Sequence, residues 1–172
     1  MTTGKLRRKW VIWRSAPWWP AVLLVLIQTL NGTWYMPQLS FFPVYLQELG
    51  LPPAAIGGVV AGAQLAGMAV ALLGGWVTGL LGSKWVLVFG LALSGVACLA
   101  FQVHTPWLVA ALWFVGGAGL ALITVGGASY LTRVGLRGTL GMLAAFYALS
   151  MTVGGAIGTP IAGVIIERRG FS

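Results

Sequence analysis

The sequence contains five long apolar runs, separated by short breaks that are polar or rich in glycine and proline. A helix needs about 20 predominantly apolar residues to cross the hydrocarbon core of a bilayer. Only 7% of the residues are charged, whereas a soluble domain has about 25% charged residues because its surface faces water. We therefore predict an all-α integral membrane protein whose partner is the lipid bilayer. The five-helix transmembrane bundle has spans at about 21–46, 54–81, 85–101, 107–131 and 140–166.

The basic residues indicate how this bundle is oriented. All but Arg168 and Arg169 of the ten Lys and Arg residues lie before span 1 or in the breaks after spans 2 and 4. Basic segments stay on the cytoplasmic side, so we predict a cytoplasmic N-terminus and a multi-pass protein of the plasma membrane, the cell inner membrane of a bacterium. The formal charge of +8 is then a topology signal, and we expect no nucleic acid partner.

The domain organisation that follows is simple. Residues 1–19 form a basic, Trp-rich cytoplasmic segment, and residues 20–172 form the transmembrane bundle. The first segment either lies along the inner leaflet as an aromatic, basic anchor or is disordered. Both interpretations of this segment remain open.

Span 1 carries a polar stripe. Gln28, Asn31, Tyr35 and Gln38 follow one another at spacings that place them on one face of a helix. Amides that faced lipid would lose hydrogen bonds at a cost of several kcal/mol, so we expect the stripe to face protein or a water-filled cavity. Two roles remain open, namely hydrogen bonding between helices and the lining of a cavity.

Small residues are abundant in the spans, and the sequence has 26 glycines. Small side chains let membrane helices approach closely, which strengthens dispersion contacts between them. We expect helix packing at Gly58 and Gly62 in span 2 and at Gly154, Gly158 and Pro160 in span 5.

The sequence contains few residues of the types that act in acid–base catalysis or bind metal ions. The sequence has one histidine, two acidic residues and the single cysteine Cys98. These residues supply no plausible acid–base or metal constellation, so we predict neither an enzyme nor a metal site nor a cofactor.

Four segments resemble parts of the major facilitator superfamily of transporters, namely residues 41–58, 75–84, 137–141 and 154–163. Residues 75–84, GWVTGLLGSK, resemble the family's motif in the loop between helices 2 and 3. Gly75, Gly82 and Lys84 match that motif, whereas Gly79 and Leu80 stand at its aspartate and arginine positions.

The last of these segments, residues 154–163, reads GGAIGTPIAG and is similar to the glycine and proline motif in helix 5 of the family's antiporter branch. Trp113 stands where antiporters commonly carry an arginine. The partial matches keep the family's order and spacing along nearly the whole chain.

The resemblance implies the N-terminal domain of the family's transporter fold, incomplete at about five of twelve helices. It implies a secondary transporter that moves a small organic solute by alternating access. Helices 1 and 4 line the cavity in this family, so Gln28, Asn31, Tyr35 and Thr124 are the expected solute contacts. A fragment of this kind needs a missing C-terminal half or a second copy as its partner. The alternative is a truncated, non-transporting membrane subunit or a half-transporter that acts as a dimer.

Overall fold

The computed structural model describes residues 19–134 and 140–169, and these residues form five long helices without a strand. The prediction of an all-α membrane bundle is confirmed. Each helix begins and ends within about one turn of the limits of its predicted span. The apolar runs form helices because a helix satisfies its own backbone hydrogen bonds in lipid. The helices are α1 (Trp19–Glu48), α2 (Pro53–Leu81), α3 (Ser83–Ala97), α4 (Pro106–Val134) and α5 (Leu140–Arg169). A 3-10 helix, Cys98–Gln102, extends α3. The predicted segment 1–19 lies outside the described residues except for Trp19.

Four of these helices are long and apolar enough to cross a membrane, and α1 is the exception. At 30 residues, α1 has the length to cross, since each residue adds about 1.5 Å to a helix and the hydrocarbon core is about 30 Å thick. Its amides, indoles and prolines lower its mean hydropathy below that of the other helices. The polar stripe thus distinguishes α1 from the other helices by its lower mean hydropathy.

One group of helices is the α1–α5 pair, in which the two helices run in the same direction. A Cβ added at Gly154 or Gly158 of α5 would collide with the carbonyl oxygens of Thr29 and Thr33 on α1. From the other side, a Cβ at Gly32 would collide with the backbone of Met151. Glycines on both helices therefore permit backbone-to-backbone contact.

A proline reinforces this contact. Pro37 has no N–H, so the carbonyl oxygen of Thr33, four residues earlier, lacks its usual helical donor. Gly158 lies against that same oxygen, which allows a weak Cα–H···O contact where the helical hydrogen bond is missing.

The other group, the α2–α4 group, consists of α2, α3 and α4, with α4 in the middle. A Cβ at Gly90 of α3 would lie 2.8 Å from the backbone nitrogen of Ile123. On the opposite flank of α4, a Cβ at Gly117 would lie 2.7 Å from the carbonyl oxygen of Ala63 on α2. Consecutive helices α1 and α2, by contrast, contact each other little.

Two apolar clusters join the α1–α5 pair to the α2–α4 group, one towards each end of the bundle. The first contains Phe42 and Trp113, whose rings stack with centroids 3.7 Å apart and planes at 7°. The second contains Leu24, Leu131 and Tyr147. We call the α1 face between and including these clusters the seam. Its residues are Leu24, Gln28, Asn31, Tyr35 and Phe42, which share about 60° of arc at 100° per residue.

Candidate functional site

The polar stripe of α1 lies in the seam and is turned into the protein. Gln28, Asn31 and Tyr35 are only 4%, 2% and 7% exposed. Gln38, at the far end of the stripe, is half-buried. The expectation that these amides avoid lipid therefore agrees with their burial in the structure.

Hydrogen bonding fixes which way the Asn31 amide points. The indole Nε1–H of Trp34 donates to the Oδ1 atom of Asn31 over 3.2 Å. An indole nitrogen can only donate, so the atom it contacts must be the amide oxygen. The Nδ2 donor of Asn31 is buried and has no protein partner among the described residues.

The Gln28 amide is oriented by the same logic. Its Nε2 donates to the thioether sulfur of Met151 on α5 over 3.4 Å. A thioether is only a weak acceptor, so the nitrogen and not the oxygen faces it. The Oε1 acceptor of Gln28 is buried and has no protein partner within the described part of the chain. One turn of α1 thus presents an unpaired acceptor beside an unpaired donor.

A small cavity opens next to Tyr35 and Gln38, where all of the first four helices meet. It has an interior volume of about 10 Å³, roughly the room that one water molecule requires. The Nε2 of Gln38 donates to the sulfur of Cys98 over 3.4 Å, while its Oε1 is buried and unpaired among the described residues. The cavity is lined by Tyr35, Gln38, Ala63, Gln64, Ala97, Trp113, Gly116 and Gly117.

Thr124, the fourth expected solute contact, is not buried, unlike Gln28, Asn31 and Tyr35 in the polar stripe of α1. It lies on α4, is exposed, and its hydroxyl donates to the carbonyl oxygen of Leu120 over 2.9 Å. Gln64 on α2 is exposed as well, so two polar side chains at span depth lie on the surface of this chain.

The loop motif surrounds a one-residue connection between α2 and α3. Gly82 has a φ of 83°, a conformation in which a residue with a Cβ is strained. Its N–H donates to the carbonyl oxygen of Thr78 over 3.1 Å and closes the end of α2. Gly75 and Lys84 are exposed, and a Cβ at Gly75 would meet no atom within 4 Å.

The residues predicted to pack helices occupy different surroundings. Gly154 and Gly158 lie in the contact with α1, and a Cβ at Gly62 would lie 2.9 Å from the ring of Phe114. A Cβ at Gly58 would meet nothing within 4 Å. Pro160 is exposed and α5 continues through it.

Several residues that shape the site were not singled out from the sequence. The indole of Trp34 donates a hydrogen bond to Asn31, the sulfur of Met151 accepts one from Gln28, and the ring of Phe42 stacks on Trp113. The spacing of Trp34 three residues after Asn31 was the one available signal, since such residues are neighbours on a helix. The other two contacts join residues distant in sequence, which periodicity along one helix does not reveal.

The sequence of this chain matches the model of a known protein family. The family model of the Major Facilitator Superfamily matches residues 21–172, which include the described helices except for the first two residues of α1. A comparison with curated proteins gives no match. Within the described residues, His, Cys, Asp and Glu side chains form no group that could hold a metal ion. The family match, the membrane-spanning helices and the buried polar row agree, and the chain belongs to the Major Facilitator Superfamily.

Proposed function

We propose that the chain is the N-terminal portion of a secondary transporter that moves a small organic solute by alternating access. Members of the family are membrane transporters that handle small solutes, and they are not enzymes. The observation that carries the proposal is the row of buried, incompletely hydrogen-bonded amides in the seam. Buried amides are normally paired, and unpaired ones are destabilising by about 1–3 kcal/mol each. A solute that forms hydrogen bonds with these amides when it binds would account for their presence in the seam.

The solute contacts in this proposal are Gln28, Asn31 and Tyr35 on α1 and Thr124 on α4. The first three share the seam, and Thr124 is a hydroxyl-bearing residue exposed on the surface of α4. The seam joins helix groups that touch mainly through two end clusters, so a modest separation there exposes the amides.

The proposal includes a cytoplasmic N-terminus in a plasma membrane. Lys84, at the start of α3, and Arg133, near the end of α4, lie at the same end of the bundle, because a Cβ at Gly126 would lie 3.3 Å from the carbonyl oxygen of Ser83. Basic residues collected at one end favour that end as the cytoplasmic one.

The test of the transport function is uptake by cells that express the gene product with Asn31→Leu. We expect uptake to fall at least tenfold while membrane abundance stays constant, because the substitution removes the unpaired donor. The control is Thr132→Leu, which alters an exposed hydroxyl that donates to the carbonyl oxygen of Ser129 in the same helix. Unchanged uptake in Asn31→Leu would contradict the proposal.

A second candidate is a half-transporter or membrane subunit that works with another copy of this chain. The exposed amide of Gln64 favours it, because an amide at span depth requires protein or water to cover it. Gly57 and Gly58 lie on exposed positions of the same helix, with room for a neighbouring helix to approach.

Crosslinking distinguishes this candidate from a transporter completed by further helices of its own. Gly57 lies within about 20° of Gln64 around the axis of α2. We expect Gly57→Cys, in a Cys98→Ser background, to form a disulfide-linked dimer in native membranes if two copies meet at α2. The matched control is Val153→Cys on the exposed face of α5. Equal crosslinking at both positions, or none at Gly57→Cys, would argue against a dimer through this face.

A further inference from the structure

The seam offers a specific pattern of hydrogen-bonding atoms. Within residues 19–134 and 140–169, Gln28 supplies an unpaired acceptor, Oε1, and Asn31 supplies an unpaired donor, Nδ2. The two residues are three positions apart on α1, so their Cβ atoms are about 5–6 Å apart on one face. Both side chains are more than nine-tenths buried. The pattern is therefore an acceptor next to a donor, held out of water.

The hydrogen-bonding partners of these two amides fix the positions of the amide oxygen and nitrogen, so that donor and acceptor cannot exchange places. Trp34 can only donate, so it holds the Asn31 oxygen and leaves the nitrogen outward. The Met151 sulfur can accept but has no hydrogen to give, so it holds the Gln28 nitrogen and leaves the oxygen outward. The ordering of donor and acceptor is thus built into the surroundings.

Charge is kept away from this row. Every Lys, Arg, Asp and Glu of the sequence lies outside the five predicted spans. An ion that entered the seam would lose its water and gain only neutral amides, and transfer of an unpaired charge into a low-dielectric interior is far more costly than transfer of a neutral polar group.

We infer that the Gln28–Asn31 row binds an uncharged, hydroxyl-bearing solute, a polyol or sugar, and discriminates against ions of similar size. A hydroxyl both donates and accepts, so vicinal hydroxyls satisfy the acceptor and the donor together. The unpaired Oε1 of Gln38 lies about two turns further along α1 and adds an acceptor for a longer solute. The inference rests on the proposed transport function and specifies its substrate class.

The experiment measures thermal unfolding of the full purified chain in lipid nanodiscs by circular dichroism, with three probes of one size. The probes are D-glucose, its anionic acid D-gluconate and its cationic amine D-glucosamine, each titrated to 50 mM. Polyols stabilise proteins generally by exclusion from their surface, so each shift is compared with that of a variant. Gln28→Met is close to isosteric and removes the acceptor, and Asn31→Leu removes the donor.

We expect D-glucose to give a saturable rise in the midpoint for the wild-type chain that is at least halved in both variants. D-gluconate and D-glucosamine give no variant-dependent rise. In Asn31→Asp, which places a carboxylate in the row, D-glucosamine becomes the stabilising probe. A rise with either ion in the wild-type chain that disappears in Gln28→Met overturns the inference, as does a D-glucose shift that is identical in all chains.

The two proposals fail in different ways. Binding of an ion to the row would overturn the solute class and leave transport by this site intact. Binding of D-glucose without uptake of any solute by cells expressing the gene product would overturn transport and leave the binding chemistry intact.

Discussion

Single residues in the seam show how a polar group is kept inside a membrane protein. Each amide has one atom paired and one left open, and the paired atom is held by a side chain of fixed hydrogen-bonding character. Burial of Gln28, Asn31 and Tyr35 was predictable from the sequence, because their spacing places them on one face and lipid excludes them from the other. The partner of Gln28 was not predictable, because Met151 lies on another helix, whereas Trp34 follows Asn31 by three residues on α1.

The indole of Trp34 sets the orientation of Asn31, so its removal has a predictable effect. We expect Trp34→Phe to lower the free energy of unfolding by about 1–3 kcal/mol, because it leaves the buried Asn31 oxygen without a donor. Thermal unfolding in detergent, followed by circular dichroism, measures the effect. Trp85→Phe is the control, since Trp85 is 56% exposed. Equal midpoints for the two variants would contradict the orienting role.

Helix positions were predictable where helix partners were not. The apolar runs gave each helix to within about one turn, because their length and the breaks between them are local properties of the sequence. The packing of α1 against α5, rather than against its neighbour α2, depends on glycines at matching heights on helices far apart in sequence. Gly154 and Gly158 fit this contact, while Gly58, chosen by the same pattern, has open space around it.

The contact between α1 and α5 can be tested at its closest point. We expect Gly158→Ala to lower the free energy of unfolding by about 1–3 kcal/mol or more, because the new methyl group meets the carbonyl oxygen of Thr33. Gly57→Ala is the control, since a Cβ there meets no atom within 4 Å. The measurement is the unfolding midpoint of each variant in detergent. A Gly158→Ala chain as stable as Gly57→Ala would show that the two helices are further apart.

The whole molecule is two helix groups joined at two clusters. The stacked pair of Phe42 and Trp113 lies in one of them, and Phe42 is fully buried at 0% exposure. The hydroxyl of Tyr45 supports the same end by donating to the carbonyl oxygen of Val103 over 2.8 Å. The polar row is placed between apolar clusters that hold the groups in register.

The stacked pair therefore makes a large contribution to stability. We expect Phe42→Ala to lower the free energy of unfolding by about 3–5 kcal/mol, because it removes a buried ring and leaves a cavity. Phe89→Ala is the matched control, since Phe89 is 53% exposed and surrounding lipid or detergent fills the space. Circular dichroism melts of both variants measure the difference. A loss no larger for Phe42→Ala than for Phe89→Ala would contradict the joining role of this cluster.

The pairing of the first helix with the last has a consequence during protein synthesis. Helix α1 is synthesised before α5, which begins only at Leu140. At about 5–20 residues per second, translation of the intervening chain takes on the order of ten seconds. Throughout that interval the least apolar helix lacks the partner that packs against it, so other protein or water must cover its amides.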